Sequence, residues 1–562
     1  MWLILILLLS AVLRFFWLNL FPTSVTGDEL TYILSAKSFL LTGSDLSGAL
    51  PWWQILLFQY PPTVLPQAEL PYFLLLPFVN GDFSLFLIRL PFAVLGILLV
   101  WLVYAVAKEF FTRPVALFAA FFTAISPWLI YINRTAYEMT PALVFYLAGL
   151  LVLLKTKSWK IFFAFPFFIL AFYSYIATKV VFLPFIFLTL LFLFLIKNKR
   201  RYLKQYSMFA ILSVVFVGLF IVLLQHNGSS RMSEFLLPTS DVVSQQVDSL
   251  RRTSLATPLT DLFINKMTVY FSMVLNRFYL FVSGTYLFTA GDGFFGMWHH
   301  GVFYAVDMVF LLLGLYFLAR KERFVFLYFV GILFIGLLPQ LLHQGSDNST
   351  PHLTFIFPFF LMIIAYGVTS VISLWKRYQK LFLMIIVAIY GVFLANFLFI
   401  YFYQYPIRGQ SDFSSRLLAG YLALHNRDTS VVVHSERSAD LLKKYIFYQS
   451  LYTRETALPL RLQLRELSPQ IANVIFKPCD ESINPEEIDA VVIVASSCQS
   501  LQTDQQSIVI GQALDSGSTY RIYNDRVCRY PLKRYIADLT VSDFAVESLP
   551  QKKFCQTFIL SQ

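Results

Sequence analysis

Apolar residues run in long blocks from the first residue to about residue 403, and then the pattern changes. The blocks fall at 1–21, 85–106, 114–132, 140–154, 160–176, 179–196, 207–225, 301–319, 324–342, 353–374 and 381–402. A helix needs about 20 apolar residues to cross the hydrocarbon core of a bilayer, so the pattern predicts about eleven transmembrane helices. The shorter blocks predict tilted or partly re-entrant segments. Two connections are long, at 22–84 and 226–300. Beyond residue 404, strand-like runs at 430–434 and 490–495 alternate with a polar helical stretch at 439–450. That alternation predicts a small α/β domain. The chain divides into a membrane body, 1–403, and a C-terminal domain, 404–562.

Composition sharpens this picture. Of 562 residues, 58% are hydrophobic and only 13% are charged, against about 25% charged in soluble domains. An ordinary cytosolic enzyme, a disordered chain and a nucleic-acid binder are all excluded. The net charge of +11 is largely topology. One set of short loops holds Lys108 and Arg113; Lys155, Lys157 and Lys160; Lys197, Lys199, Arg200, Arg201 and Lys204; Arg320, Lys321 and Arg323; and Lys376, Arg377 and Lys380. Only Glu109 and Glu322 oppose them. The positive-inside rule puts these loops in the cytoplasm and the long loops outside. The first block lacks a basic leading region and a small-residue cleavage site, which favours an uncleaved anchor. The expectation is a multi-pass protein of the plasma (inner) membrane, with a cytoplasmic N-terminus and an extracytoplasmic C-terminal domain.

Cysteine placement is an independent check. Cys479, Cys498, Cys528 and Cys555 all lie in the tail. An even number in an extracytoplasmic domain points to disulfides. Sequence-local pairing, 479 with 498 and 528 with 555, is the expected arrangement. A zinc site is the alternative, without CxxC spacing to support it.

The candidate chemistry clusters at the outer ends of the spans. After the first block comes Thr26-Gly27-Asp28-Glu29-Leu30-Thr31-Tyr32, then an amphipathic run to Thr42-Gly43. This predicts a helix on the membrane surface, stopped by Gly43. Asp28 would sit at or beside its N-cap, a place that suits a carboxylate for purely structural reasons. The same Asp28-Glu29 pair is also well placed to activate a hydroxyl nucleophile. A second acid follows in Asn133-Arg134-Thr135-Ala136-Tyr137-Glu138. Arg134 and Glu138 could form a helical ion pair, or face a cavity as charges at membrane depth tend to do. The next outer turn reads Tyr173-Ser174-Tyr175-Ile176-Ala177-Thr178-Lys179. Its tyrosines suit an interfacial belt, and Lys179 and Arg89 suit an anionic headgroup or simple snorkelling. His299 and His300, after Gly291-Asp292-Gly293, and His343, Asp347 and His352 complete the set. His299 and His300 are weak candidates for a divalent metal, because their spacing fixes no geometry. The expectation is that no cofactor is required.

These motifs, in this order, resemble the polyprenyl-phosphate-sugar-dependent glycosyltransferases of the GT-C fold. That group includes the protein O-mannosyltransferases and the transferases that add aminoarabinose to lipid A. The matching elements are Gly27 to Tyr32 with Thr42-Gly43, Pro61-Pro62, Arg89-Leu90-Pro91, the Arg134 to Glu138 stretch and the Tyr-rich turn to Lys179. Ser283-Gly284, Gly291-Asp292 and Pro351-His352 resemble later outer loops. Two positions depart: Lys179 stands where Arg is commoner, and Thr354 and Phe355 stand where an Arg often follows the His. The resemblance covers roughly residues 1–400 and leaves the tail out.

The resemblance implies transfer of a hexose or pentose from a polyprenyl-phosphate donor to an acceptor hydroxyl on the extracytoplasmic face, with inversion. Asp28 would be the general base, with Glu29 and Glu138 orienting the acceptor or tuning it. Arg89, Arg134, Lys179 and His352 would hold the donor phosphate, whose charge grows as it leaves. Tyr32, Tyr137, Tyr173 and Tyr175 would line the pocket. The implied partners are the lipid-linked donor, the bilayer, and a protein, glycolipid or polysaccharide acceptor; no nucleic acid is expected. A transporter or flippase of a lipid-linked sugar would instead show internal repeats and helices broken near the midplane. An oligosaccharide ligase or polymerase would also use outer-face arginines, but does not call for an Asp28-Glu29 pair straight after the first span.

Overall fold

The computed structural model describes residues 1–48, 51–52, 54, 68–156, 158–195, 202–226, 240–255, 257–292, 300–343, 350–407, 413–426, 428–479, 489–498, 507–510, 519–528 and 539–561. Among these residues, six helices are long and apolar enough to cross a membrane: Leu85–Phe110, Ile176–Leu195, Leu203–Leu223, Arg323–Leu342, Thr350–Leu374 and Gln379–Gln404. Shorter apolar helices run at Trp2–Phe15, Arg113–Ile125, Met139–Lys155 and Ser158–Ser174. The chain is a multi-pass helical membrane protein.

Several expected spans are broken rather than continuous. The block at 114–132 forms two helices, Arg113–Ile125 and Pro127–Ile132. Pro127 has no N–H to give and forces Ser126 out of the helical region, where it sits at φ −59°, ψ 126°. The block at 160–176 opens on a tight 3-10 turn, Ser158–Phe163, before the helix Ala164–Ser174. The loop at 226–300 contributes the helices Ser240–Arg252 and Lys266–Val282.

Helix packing depends on close backbone approach. Gly314 on Asp307–Lys321 faces Gly367 on Phe357–Leu374. A Cβ at Gly314 would lie 2.2 Å from the Ile363 carbonyl oxygen, and one at Gly367 would lie 2.1 Å from that of Phe310. Small residues allow such contacts between membrane helices. Gly367→Ala should therefore push the pair apart and cost about 1–3 kcal/mol of stability, read as a lower melting temperature of the purified protein in detergent. Gly391→Ala, where a Cβ meets nothing within 4 Å, should not lower it.

The tail folds around a mixed sheet. Its strands are β1 Val431–His434, β2 Gln470–Ile471, β3 Val474–Lys477, β4 Val491–Ala495, β5 Ile508–Ile510, β6 Tyr520–Tyr523 and β7 Ile559–Ser561. Their order among the described residues is β2-β3-β1-β4-β6-β5-β7, with β1 parallel to both β3 and β4 and the other pairs antiparallel. The central strands β1 and β4 are buried throughout, as near-continuous Val and Ile runs in parallel strands require. Disulfides join Cys479 to Cys498 and Cys528 to Cys555.

A buried arginine ties the first tail helix, Phe413–Leu422, to the end of the chain. Arg416 donates from Nε to Glu547 Oε1 at 2.7 Å, and its Nη2 contacts Oε2 at 2.5 Å. Burial alone would push the Glu547 carboxyl up, but the guanidinium beside it holds it below the usual carboxylate range. Its pKa is therefore lower in the folded than in the unfolded chain. The stabilisation is fully present above the unfolded value of about 4.3 and is lost as pH falls through the folded value. Glu547→Gln should show a stability deficit that is constant from about pH 6 to 8 and shrinks below about pH 4, measured by urea unfolding across pH.

Candidate active site

The site begins where the first span ends. The helix Gly27–Thr42 starts with a capping box: Thr26 Oγ1 accepts from Glu29 N at 3.4 Å, and Glu29 Oε2 accepts from Thr26 N at 3.3 Å. The N-cap is thus Thr26, not Asp28. Two residues beyond the cap, Asp28 stands half-buried in the first turn and the capping task is done by its neighbours. Gly43 ends the helix at φ 75°, its N–H bonded to Phe39 O at 3.0 Å. Only a residue at ease with positive φ stops a helix this way. The helix does not lie on a bare membrane surface. Residues 29–39 are almost all buried, including the polar Ser35, Lys37 and Ser38: Leu46 N donates to Ser35, Lys37 donates to Gly81 O, and Tyr452 and Arg461 of the tail reach Ser38.

Glu29, Arg89 and Arg134 form a brace. Glu29 is fully buried; its Oε1 accepts from Ala136 N at 2.8 Å and lies 3.9 Å from Arg89 Nε. Burial pushes its carboxyl up, and Arg89 and the two amides only partly oppose that, so its pKa stays raised. Arg89 donates from Nη1 to Leu18 O at 3.2 Å and from Nη2 to Ser24 O at 3.1 Å. Arg134 donates from Nη1 to Leu13 O at 2.9 Å and Arg14 O at 3.1 Å, from Nη2 to Phe21 O at 3.1 Å, and from Nε to Tyr401 Oη at 3.2 Å. Carbonyls in a last helical turn have no intrahelical donor, and Arg134 supplies one to the end of Trp2–Phe15. The expected helical ion pair with Glu138 does not form. Residues 133–136 are a turn, Glu138 is the N-cap residue of Met139–Lys155, and the guanidinium is spent on carbonyls and Tyr401. Both arginines, expected at the donor phosphate, have their terminal nitrogens bonded to backbone in this structure.

Above the brace, tyrosines and carboxylates converge. Tyr32 is buried, accepts from Ala68 N at 3.1 Å, and packs its ring 5.1 Å from that of Tyr72. Burial pushes the Tyr32 hydroxyl well above its usual range, and the charges of Glu138, Tyr72 and Asp28 push the same way. Tyr137 is also raised by burial; a hydrogen bond to Thr26 opposes this, and Asp28, Glu29 and Glu138 add to it. Asp28 and Glu138, far apart in sequence, therefore share one set of tyrosines.

A third cluster adjoins. Lys179 donates from Nζ to Glu69 Oε1 at 2.7 Å and Oε2 at 3.0 Å, in a pair with side chains 4% and 2% exposed. Glu69 N donates to Tyr173 O at 3.1 Å, which fixes the Tyr-rich turn. Tyr175 stacks on His352 with ring centroids 6.3 Å apart, and His352 Nδ1 lies 2.7 Å from Gln340 Oε1. The carboxylate of Asp292 accepts from Thr350 N at 2.7 Å, bringing the segments around residues 292 and 350 together. At the position after His352 where the resemblance calls for Arg, Thr354 Oγ1 accepts from Trp128 Nε1 at 3.0 Å. His300 is a core residue: Nδ1 lies 2.7 Å from Gly301 O, and its ring packs on Tyr304 and Phe397. His299, Asp347, Pro61 and Pro62 lie outside the described residues. Among the described residues no three His, Cys, Asp or Glu side chains gather as a metal site would need.

Residues 71–225 match the family model described as dolichyl-phosphate-mannose-protein mannosyltransferase. No curated protein matches the chain. Among solved structures, it is similar to ArnT from Cupriavidus metallidurans bound to undecaprenyl phosphate, at 11% identity and TM-score 0.47, over 93% of this chain and 98% of that one. It is also similar to the oligosaccharyltransferase AglB from Archaeoglobus fulgidus in complex with an inhibitory peptide and a dolichol-phosphate, at 12% identity and TM-score 0.42 over 80% of this chain. The chain spans 63% of that oligosaccharyltransferase's length.

The stretch that matches the family model holds Tyr72, Arg89, Arg134, Tyr137, Glu138, Tyr173, Tyr175 and Lys179. Asp28, Glu29 and Glu69 come before it, and His352 after it. Sequence reading missed Glu69, Tyr72 and Gln340. Glu69 had a signal: one carboxylate directly ahead of the apolar run Leu70-Pro71-Tyr72-Phe73, where a charge is costly without a partner. Gln340 lies within a span, and nothing in its spacing sets it apart.

Proposed function

We propose that this protein is an integral membrane glycosyltransferase that moves a sugar from a polyprenyl-phosphate donor to an acceptor hydroxyl at the outer membrane face. The supporting observation is the position of Asp28. It stands half-buried in the first turn of a helix whose cap is made by Thr26 and Glu29, within electrostatic reach of Tyr32, Tyr72 and Tyr137. A carboxylate so placed can accept the proton of an acceptor hydroxyl. The acceptor oxygen bonds to the anomeric carbon as the carbon–oxygen bond to phosphate breaks. The electron pair leaves with the lipid phosphate, and single displacement inverts the centre. Lys179 and His352 are the side chains assigned to the leaving phosphate. Arg89, Arg134 and Glu29 support the site from below. We assign Tyr32, Tyr137, Tyr173 and Tyr175 to the pocket walls, and Glu138 to orienting the acceptor. The reaction is placed on the extracytoplasmic face, with the N-terminus cytoplasmic, eleven crossings and a GT-C architecture. No metal is assigned a role.

The family match favours this reading over a flippase, because that family is named for transfer from a lipid-phosphate sugar. Mass spectrometry of envelope glycans in a deletion strain against its parent is the test. The expected result is loss of one glycan, restored by the wild-type gene and not by Asp28→Asn. An unchanged glycan profile would sink the proposal.

A further inference from the structure

Three residues, Thr23-Ser24-Val25, lead into the Thr26 cap of the helix that carries Asp28, and they are gripped from two sides. From the membrane body, Arg89 donates to Ser24 O. From the tail comes the opposite grip. Tyr448, on the helix Ser438–Tyr448, accepts at Oη from Val25 N at 3.1 Å and shares a hydrogen bond with Ser24 Oγ at 3.2 Å. Arg416 donates to Thr23 O at 2.6 Å and stacks over the Tyr448 ring, 5.5 Å from its centroid. Toward the end of the helix Gly27–Thr42, Tyr452 donates to Ser38 Oγ at 3.1 Å, and Arg461 donates to Ser38 Oγ at 2.7 Å and to Ser44 O, just past the helix, at 3.0 Å, and also bonds Thr42 Oγ1. Tyr448, Arg416, Tyr452 and Arg461 lie 393 to 424 residues along the sequence from the groups they hold. All of these groups are buried or partly buried, so water does not readily replace a lost bond.

We propose that the C-terminal domain sets the position of Asp28, with Tyr448 and Arg416 as positioning residues. The inference rests on the proposed glycosyltransferase reading. It gives the tail a task in turnover as well as any contact with the acceptor. A displacement of about 1 Å at a reacting group can cost on the order of 100-fold in rate. Among the described residues the hydroxyl of Tyr448 is the one tail group that bonds the backbone N–H of Val25, so its loss releases the lead-in without touching the site itself.

The test uses the full-length protein in nanodiscs, with radiolabelled polyprenyl-phosphate-mannose as donor probe and native membrane extract as acceptor. Tyr448→Phe should lower kcat at least about tenfold with donor KM unchanged. It should also speed hydrogen exchange in the peptide spanning residues 23–31 while β4 stays protected. Ser24→Ala, which removes one partner of the same hydroxyl, should shift both readouts in the same direction by less. Wild-type kcat and wild-type exchange in Tyr448→Phe would overturn the positioning role. Wild-type turnover in Asp28→Asn would overturn the underlying reading instead, so the two failures are distinguishable.

Discussion

Asp28→Asn should reduce sugar transfer by on the order of 100- to 10,000-fold, the range that a positioned general base contributes. The substitution keeps the size of the side chain while removing its negative charge and its ability to take a proton. Folding should survive because the cap is built by Thr26 and Glu29, whose two hydrogen bonds do not involve Asp28. Binding of the donor should also survive, since the side chains assigned to its phosphate lie elsewhere. The measurement is turnover with a polyprenyl-phosphate sugar, alongside a melting curve. Wild-type turnover in a folded Asp28→Asn protein would remove Asp28 from the mechanism. Glu29→Gln should behave differently. Glu29 is buried between Ala136, Thr26 and Arg89, so its variant should lose stability as well as activity.

Glu69→Gln should be among the most destabilising single changes. Glu69 and Lys179 meet at 2.7 Å with side chains almost wholly buried. Taking away one charge of such a pair leaves the other in a low-dielectric site and costs about 3–5 kcal/mol. A neutral double variant, Glu69→Gln with Lys179→Met, should recover most of that, because it removes both charges. Unfolding in detergent tests the stability arm. Donor kinetics test the chemistry: the double variant should be folded yet have a raised donor KM, because the cation assigned to the phosphate is gone. An unchanged KM would limit Lys179 to a structural role.

Much of the architecture could be read from the chain. The apolar blocks mark a membrane body, and the alternation after residue 404 marks a domain of another kind, because the bilayer requires long apolar helices and water does not. Gly43 as a helix stop followed from glycine's tolerance of positive φ. Thr26-Gly27-Asp28-Glu29 even spells a capping box, so the true N-cap had a local signature that a focus on Asp28 passed over. Broken spans were legible at Pro127 and less so at the 3-10 turn of Ser158–Phe163, which no proline begins.

The sequence by itself determined what kinds of groups are present and in which layer they fall. Residue spacing set the expectation that Asp28, Arg89, Arg134, Glu138 and Lys179 lie near one face of the bilayer, because each falls close to a boundary of an apolar block. Only the tertiary structure decided which partners these charges meet. Arg134 meets the carbonyls of Leu13, Arg14 and Phe21, and Lys179 meets Glu69, across intervals that no local pattern spans. Hydrogen bonds and ion pairs act over a few ångströms. Their partners are therefore settled by which distant segments the packing brings together, and Tyr448 in the tail reaches Val25 for the same reason.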